Sequence, residues 1–191
     1  MTPFEFVFFL YAIMLSLALT HLIGGWALAL RNASEVRWSA ALIIWAVVAL
    51  LFTTGNLSSF WLMRDAPEWN SALVLSNIAA AIVNYVWCVF LTPDADRGAR
   101  LDLVEFEERE RRRYLAALIV LETISIALNI ADGLFAAYDN WLFDLALSTV
   151  GLVATIVALV AGGQRLRLAM AVIVVTLAAN YVFSATSIVG T

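Results

Sequence analysis

Glu122, Ser125, Asn129 and Asp132 recur at i, i+3, i+7 and i+10 inside one long apolar stretch, a spacing that sets all four on one face of a helix. A carboxyl such as Glu122 placed near mid-bilayer costs roughly 2.5–3.5 kcal/mol on insertion scales, so intramembrane carboxyls are kept mostly where they bind or move charge. His21 is the only histidine in the chain and sits in another apolar stretch next to Ser16 and Thr20. An imidazole meeting Glu122 would lower the cost of burying either charge, and such a pair can hold or pass a proton. Further polar positions follow the same logic: Asn77, Asn84 and Cys88 in a third stretch, Asp144, Ser148, Gly151 and Thr155 in a fifth, and Thr176, Asn180, Ser184 and Ser187 in a sixth.

The elements that must position these residues follow from hydropathy. Hydrophobic residues make up 63% of the chain, charged residues 14%, and mean hydropathy is +0.91. A soluble core of this size could not hide so much apolar surface. Runs long enough to cross roughly 30 Å of hydrocarbon at about 1.5 Å per residue extend from Pro3 to Leu30, Trp38 to Met63, Ser71 to Thr92, Tyr114 to Tyr138, Trp141 to Ala161 and Arg167 to Val189. The fold class is therefore an all-α integral membrane protein, with residues 1–191 forming a single six-helix bundle. The first run has no basic segment before it and is too long for a signal-peptide core, so it reads as a retained helix.

Charge sets the orientation. Arg31 and Arg37 lie in the first connection, Arg97, Arg100, Arg109, Arg111, Arg112 and Arg113 in the third, and Arg165 in the fifth, with Arg167 at the start of the sixth run. The opposite connections hold only Arg64. Arginine-rich short loops stay cytoplasmic, so an N-out, C-out topology is expected with both termini periplasmic. Trp26, Trp38 and Trp87 mark the inner helix ends and Trp61, Trp69 and Trp141 the outer ones, while Trp45 lies deep, as interfacial aromatic belts require. Arginine used without any lysine points to a GC-rich bacterial genome and hence to a bacterial inner membrane.

Counted from the inner ends at about 1.5 Å per residue, His21, Asn84, Glu122 and Thr176 fall at a common depth of roughly 12 to 14 Å. Asp132, Asp144 and Asn56 form a second layer toward the outer face. Joined by serines and threonines, the two layers read as a polar path lined by spans one, three, four and six, with Glu122 as the titrating group, His21 as its partner, and Asn84 with Asn180 as hydrogen-bonding selectivity positions. Ser, Thr and Asn between membrane helices also serve as structural glue.

Two short matches relate the halves of the chain. Asn84-Tyr85-Val86-Trp87 resembles Asn180-Tyr181-Val182-Phe183, and Ser16-Leu17-Ala18-Leu19-Thr20 resembles Ser125-Ile126-Ala127-Leu128-Asn129. First matching fourth and third matching sixth is the pattern of a 3+3 inverted repeat, a plan common among transporters.

The third connection, residues 93–113, opens with the turn-like Pro93-Asp94-Ala95-Asp96-Arg97-Gly98 and continues as a charged helix. Glu105/Arg109, Glu107/Arg111 and Glu108/Arg112 stand at i,i+4 spacing there, which supports exposed helices through ion pairs. Arg111, Arg112 and Arg113 are candidates for contact with a cytoplasmic partner or anionic lipid. Glu107-Glu108 followed by Arg112 resembles the EExxxR motif of intramembrane CAAX-type proteases, but those enzymes also need histidines on other helices, and this chain has His21 alone. Small bacterial urea or amide channels and acetate transporters are similar in size and span number, a resemblance confined to architecture.

Other classes are disfavoured. The lone Cys88 excludes an intramolecular disulfide or a cysteine metal cluster, and the absence of lysine excludes a Schiff-base cofactor. With no catalytic constellation we expect neither an enzyme nor a cofactor nor a metal site. A net charge of −4 gives no reason to expect a nucleic-acid partner. The expected partners are the lipid bilayer, a small ion or polar solute, and further copies of the chain in a homo-oligomer. The expected function is an inner-membrane permeation protein, channel or small transporter, for a proton, ion or small polar solute. The alternative is a non-transporting sensor, scaffold or accessory subunit that binds a partner through residues 93–113.

Overall fold

The computed structural model describes residues 2–62, 64, 69–93, 101–135 and 141–189; the side chains of residues 3, 62, 131–135, 141 and 184–189 are not among those described. Most of the turn-like segment 94–98, with Arg97 and Arg100, and the side chains of Asp132, Ser184 and Ser187 therefore lie outside the described residues. The chain is an all-helical, multi-pass membrane protein with α1 (Pro3–Arg31), α2 (Ala40–Leu62), α3 (Ser71–Phe90), α4 (Leu103–Phe135), α5 (Trp141–Val160) and α6 (Gln164–Val189). All six are long and apolar enough to cross a bilayer.

Local chemistry sets several of the helix boundaries. Thr2 and Glu5 form a capping box at the start of α1, with Glu5 N–H donating to Thr2 Oγ1 at 3.2 Å and Thr2 N–H donating to Glu5 Oε2 at 2.8 Å. Asn70 caps α3 by accepting from Leu73 N–H at 2.9 Å, and Ser39 accepts from Leu42 N–H at 3.3 Å ahead of α2. The charged helix of the third connection runs unbroken into the fourth span as α4. Its cap, Asp102, accepts from Val104 and Glu105 N–H at 3.0 Å each.

The same residue joins two connections. Arg37 donates its backbone N–H to Leu101 at 2.9 Å and accepts from Leu103 at 3.0 Å, and its guanidinium meets the Asp102 carboxylate at 3.0 Å. Arg111 donates to the carbonyl of Ala161, at the end of α5, at 3.2 Å. The first, third and fifth connections thus meet at one arginine-rich face, and the start of α1 and the end of α6 lie toward the other.

Around the bundle the principal neighbours run α1, α3, α4, α5, α6, α2 and back to α1, with α2 also reaching α3 and α4. Lipid is as apolar as leucine, so packing and interhelical hydrogen bonds rather than water exclusion hold such a bundle together. The interior is filled by Trp45, Trp87, Tyr114, Leu42, Leu118 and Leu121, all fully or nearly fully buried. Close approach depends on missing side chains. A Cβ at Gly55 of α2 would stand 2.6 Å from the Tyr181 ring of α6, and one at Gly25 of α1 would collide with Thr92 at the end of α3.

The two halves use different neighbours. α1 packs on α3, whereas in the second half α4 packs on α5 and α5 on α6. The matched segments therefore occupy unlike surroundings: Asn84 is buried, while Asn180 is exposed.

Candidate functional site

Glu122 is 3% exposed and faces α5. Its Oε1 accepts a hydrogen bond from Thr155 Oγ1 at 3.2 Å, and Thr155 also donates to the Gly151 carbonyl of its own helix at 3.0 Å. Gly151 creates the recess: a Cβ there would lie 3.1 Å from Glu122 Oε1. Among the described residues Oε2 of Glu122 has no hydrogen-bond partner. Trp87, Trp69, Arg111 and Arg167 also bury one unpartnered nitrogen each, but a carboxyl is the most costly of these groups to leave incomplete in hydrocarbon.

A polar seam continues from Glu122 toward the terminal face. Asn129 of α4 donates to Ser148 of α5 at 3.2 Å. Burial relaxes along it, for Ser125, Asn129, Ser148 and Asp144 are all half-buried. Asp144 lies within electrostatic reach of Tyr181, whose hydroxyl meets Ser59 of α2. The spacing of Asp144, Ser148, Gly151 and Thr155 at i, i+4, i+7 and i+11 sets them on one side of α5, and Ser148, Gly151 and Thr155 meet α4.

Toward the arginine-rich face the seam stops. Leu115, Leu118 and Leu121 of α4, Ala154 and Ala158 of α5 and Trp45 of α2 form one buried apolar cluster there. Beyond it lies a charged group in which Glu107 accepts from Tyr114 at 3.4 Å and faces Arg167 of α6 at 3.8 Å. The i,i+4 pairs expected along this stretch are replaced by others, because the Glu107 and Arg111 face of α4 turns into the bundle and finds tertiary partners. Arg109 and Arg113 both pair with Glu110, at 3.2 and 3.1 Å. Arg112 is exposed. Asp102, at the start of this segment, has its carboxyl held below the usual range, first by the Glu105 N–H and further by Arg37.

The expected meeting of His21 with Glu122 does not occur. His21 lies on the exposed side of α1, its ring 6.3 Å from that of Tyr85 on α3, whereas Glu122 faces α5. Thr176 and Asn180 are exposed on α6, and Ser16 and Thr20 on α1, so these polar positions turn outward. Thr176 and Thr20 satisfy their hydroxyls on carbonyls of their own helices, at 2.8 Å each. Asn84 is fully buried but belongs to a separate knot between α2 and α3. Its Nδ2 donates to Thr53 Oγ1 at 3.0 Å, and Cys88 Sγ lies 3.8 Å from the same hydroxyl. Of the polar residues expected to line spans one, three, four and six, the structure pairs Glu122 and Asn129 of α4 with Thr155 and Ser148 of α5.

Thr53 and Thr155 carry more of the interior polar bonding than the sequence reading assigned to them. The stripe on the fifth span was legible. Thr53 had no signal beyond its type, since it stands beside the exposed Thr54, which bonds its own helix at 2.8 Å. Among the described residues no group of three or more His, Cys, Asp or Glu side chains is placed to hold a metal ion. Comparison with known proteins finds no matching family model, no matching curated protein and no matching solved structure.

Proposed function

We propose that this protein is a permeation protein of the bacterial inner membrane, a channel or small transporter for a proton, ion or small polar solute, with its route along the α4 and α5 seam. Placing the arginine-rich face in the cytoplasm follows the positive-inside rule and leaves both termini periplasmic. The observation that carries the reading is the Glu122 carboxyl, 3% exposed, with one oxygen on Thr155 and the other without a partner. Interhelical glue works by mutual satisfaction of its polar groups, and an incomplete carboxyl is a poor adhesive. Asn129, Ser148 and Asp144 supply hydrogen-bonding positions between Glu122 and the periplasmic side.

The test is flux through the purified protein in liposomes, measured for protons, monovalent cations and small neutral solutes beside Glu122→Gln. Flux that the substitution abolishes or reshapes supports the reading. Absence of flux for every probe from folded protein rejects it.

A second reading has its own support. Glu105, Glu108, Arg109, Arg112 and Arg113 are exposed on the first turns of α4, a charged surface on the arginine-rich face suited to a soluble partner or anionic headgroups. Under it the protein is an accessory subunit or scaffold, and charge reversal at Arg112 and Arg113 removes partner binding without touching Glu122.

A further inference from the structure

The seam is polar on one side of Glu122 and apolar on the other. Toward the terminal face lie the half-buried polar residues Ser125, Asn129, Ser148 and Asp144, with Asn129 hydrogen-bonded to Ser148 across the two helices. Toward the arginine-rich face, Leu115, Leu118 and Ala158 are each 1% exposed or less and Trp45 is 2% exposed. The next ionisable groups on that side, Glu107 and Arg111, are already tied to Tyr114, Arg167 and the Ala161 carbonyl.

Glu122 does not have the ligand set of a cation site, since its one recorded polar neighbour among the described residues is the Thr155 hydroxyl. Calcium and magnesium require several oxygen ligands. Among the described residues no charged side chain is recorded acting on Glu122. From α5 it meets Thr155 and Gly151. The buried polar groups of α2 and α3, Thr53, Asn84 and the titratable Cys88, are tied to one another. Along the seam the nearest described charged group is Asp144.

We infer that Glu122 is a proton-binding site with access from one side only: protons arrive from the terminal face past Asp144, Ser148 and Asn129 and bind at Oε2, and the Leu115, Leu118, Ala158 and Trp45 layer seals the site from the arginine-rich face. This builds on the seam reading above and names both the species and the side. The step is uptake of one proton from water by the Glu122 carboxylate, which forms an O–H bond at the oxygen that Thr155 leaves free. Delivery to the opposite face then requires α4 and α5 to part at the apolar layer, the arrangement a carrier uses to avoid a continuous leak.

The experiment is side-resolved infrared difference spectroscopy on the full chain in phosphatidylcholine vesicles, sorted by capture on a terminal affinity tag so that one face points outward. The pH is stepped on one side while the other is clamped with impermeant buffer, and the carboxyl C=O band lost in Glu122→Gln is followed. The expected result is a band that responds to acidification of the terminal face and not of the arginine-rich face. A response from the arginine-rich face, equal responses from both, or no Glu122 band under either condition overturns the inference. Asn129→Leu is expected to slow the terminal-side response by about tenfold, the rate cost of one lost hydrogen bond; an unchanged rate overturns the route. Ala158→Ser, a small change chosen because a polar Leu118 variant risks misfolding, is expected to make the response two-sided. A response that stays one-sided in that variant overturns the assignment of the seal. Solute flux without a titrating Glu122 removes this inference and leaves the permeation reading in place. A one-sided Glu122 band in a protein that passes nothing does the reverse.

Discussion

Two buried polar clusters sit in this bundle, and they are built on different principles. Between α2 and α3, Thr53, Asn84 and Cys88 are each fully buried and hydrogen-bonded among themselves. Between α4 and α5, Glu122 reaches Thr155 with one oxygen and leaves the other bare. The first cluster answers its own desolvation, as polar glue between membrane helices does. The second retains an unmet cost that packing alone gives no reason to keep. Burial is shared by both, so burial does not separate structure from function here; completeness of hydrogen bonding does.

The largest expected effect breaks the comparison if it fails. Glu122→Gln should abolish flux in liposomes while leaving the unfolding midpoint in mixed micelles in place. Glu122→Leu should stabilise the protein by about 1 kcal/mol, because an apolar group replaces an incompletely bonded buried one. A Glu122→Leu protein that unfolds much more readily than wild type would make Glu122 a structural group after all.

Asn84→Ala should behave oppositely. Removing the amide leaves the Thr53 hydroxyl with the weak Cys88 sulfur alone and opens a cavity, so unfolding should become easier by about 1–3 kcal/mol, while flux per folded molecule stays at the wild-type level. Loss of flux in the folded variant would place the α2 and α3 knot in the route.

Gly151→Ala should act on the seam with little effect on stability. The added methyl, 3.1 Å from Glu122 Oε1, pushes on the carboxyl that Thr155 holds and should alter the rate and pH profile of flux. Gly55→Ala, where the methyl would meet the Tyr181 ring at 2.6 Å, should instead cost about 1–3 kcal/mol by overpacking. Equal outcomes for the two glycines would blur the distinction between seam and scaffold.

The smallest effect concerns Asp102, whose lowered carboxyl pKa reflects the Glu105 N–H first and Arg37 second. A depressed folded pKa means that the stabilisation is complete above the ordinary carboxylate value and is lost as pH falls through the lower folded one. Wild type should therefore lose a small increment of stability at the acid end, measurable as a shift in unfolding midpoint, and Asp102→Asn should flatten that dependence. The variant should not change flux at neutral pH.

Chain length, hydropathy and arginine placement are one-dimensional properties, and they determined the spans and the sharing of one face by the first, third and fifth connections. The Glu122, Ser125 and Asn129 stripe and the Asp144 to Thr155 stripe were also readable, because helical periodicity turns residue spacing directly into a common face. Depth was an expectation of the same kind, counted as about 1.5 Å per residue from a helix end. Which stripes meet was decided by the tertiary structure alone. His21 and Glu122 were expected at one depth, yet α4 packs between α3 and α5, so the imidazole faces outward and the carboxyl finds Thr155. Depth is linear in residue number, but the direction a stripe faces depends on which helices become neighbours, and that is set by close packing at sites such as Gly25, Gly55 and Gly151.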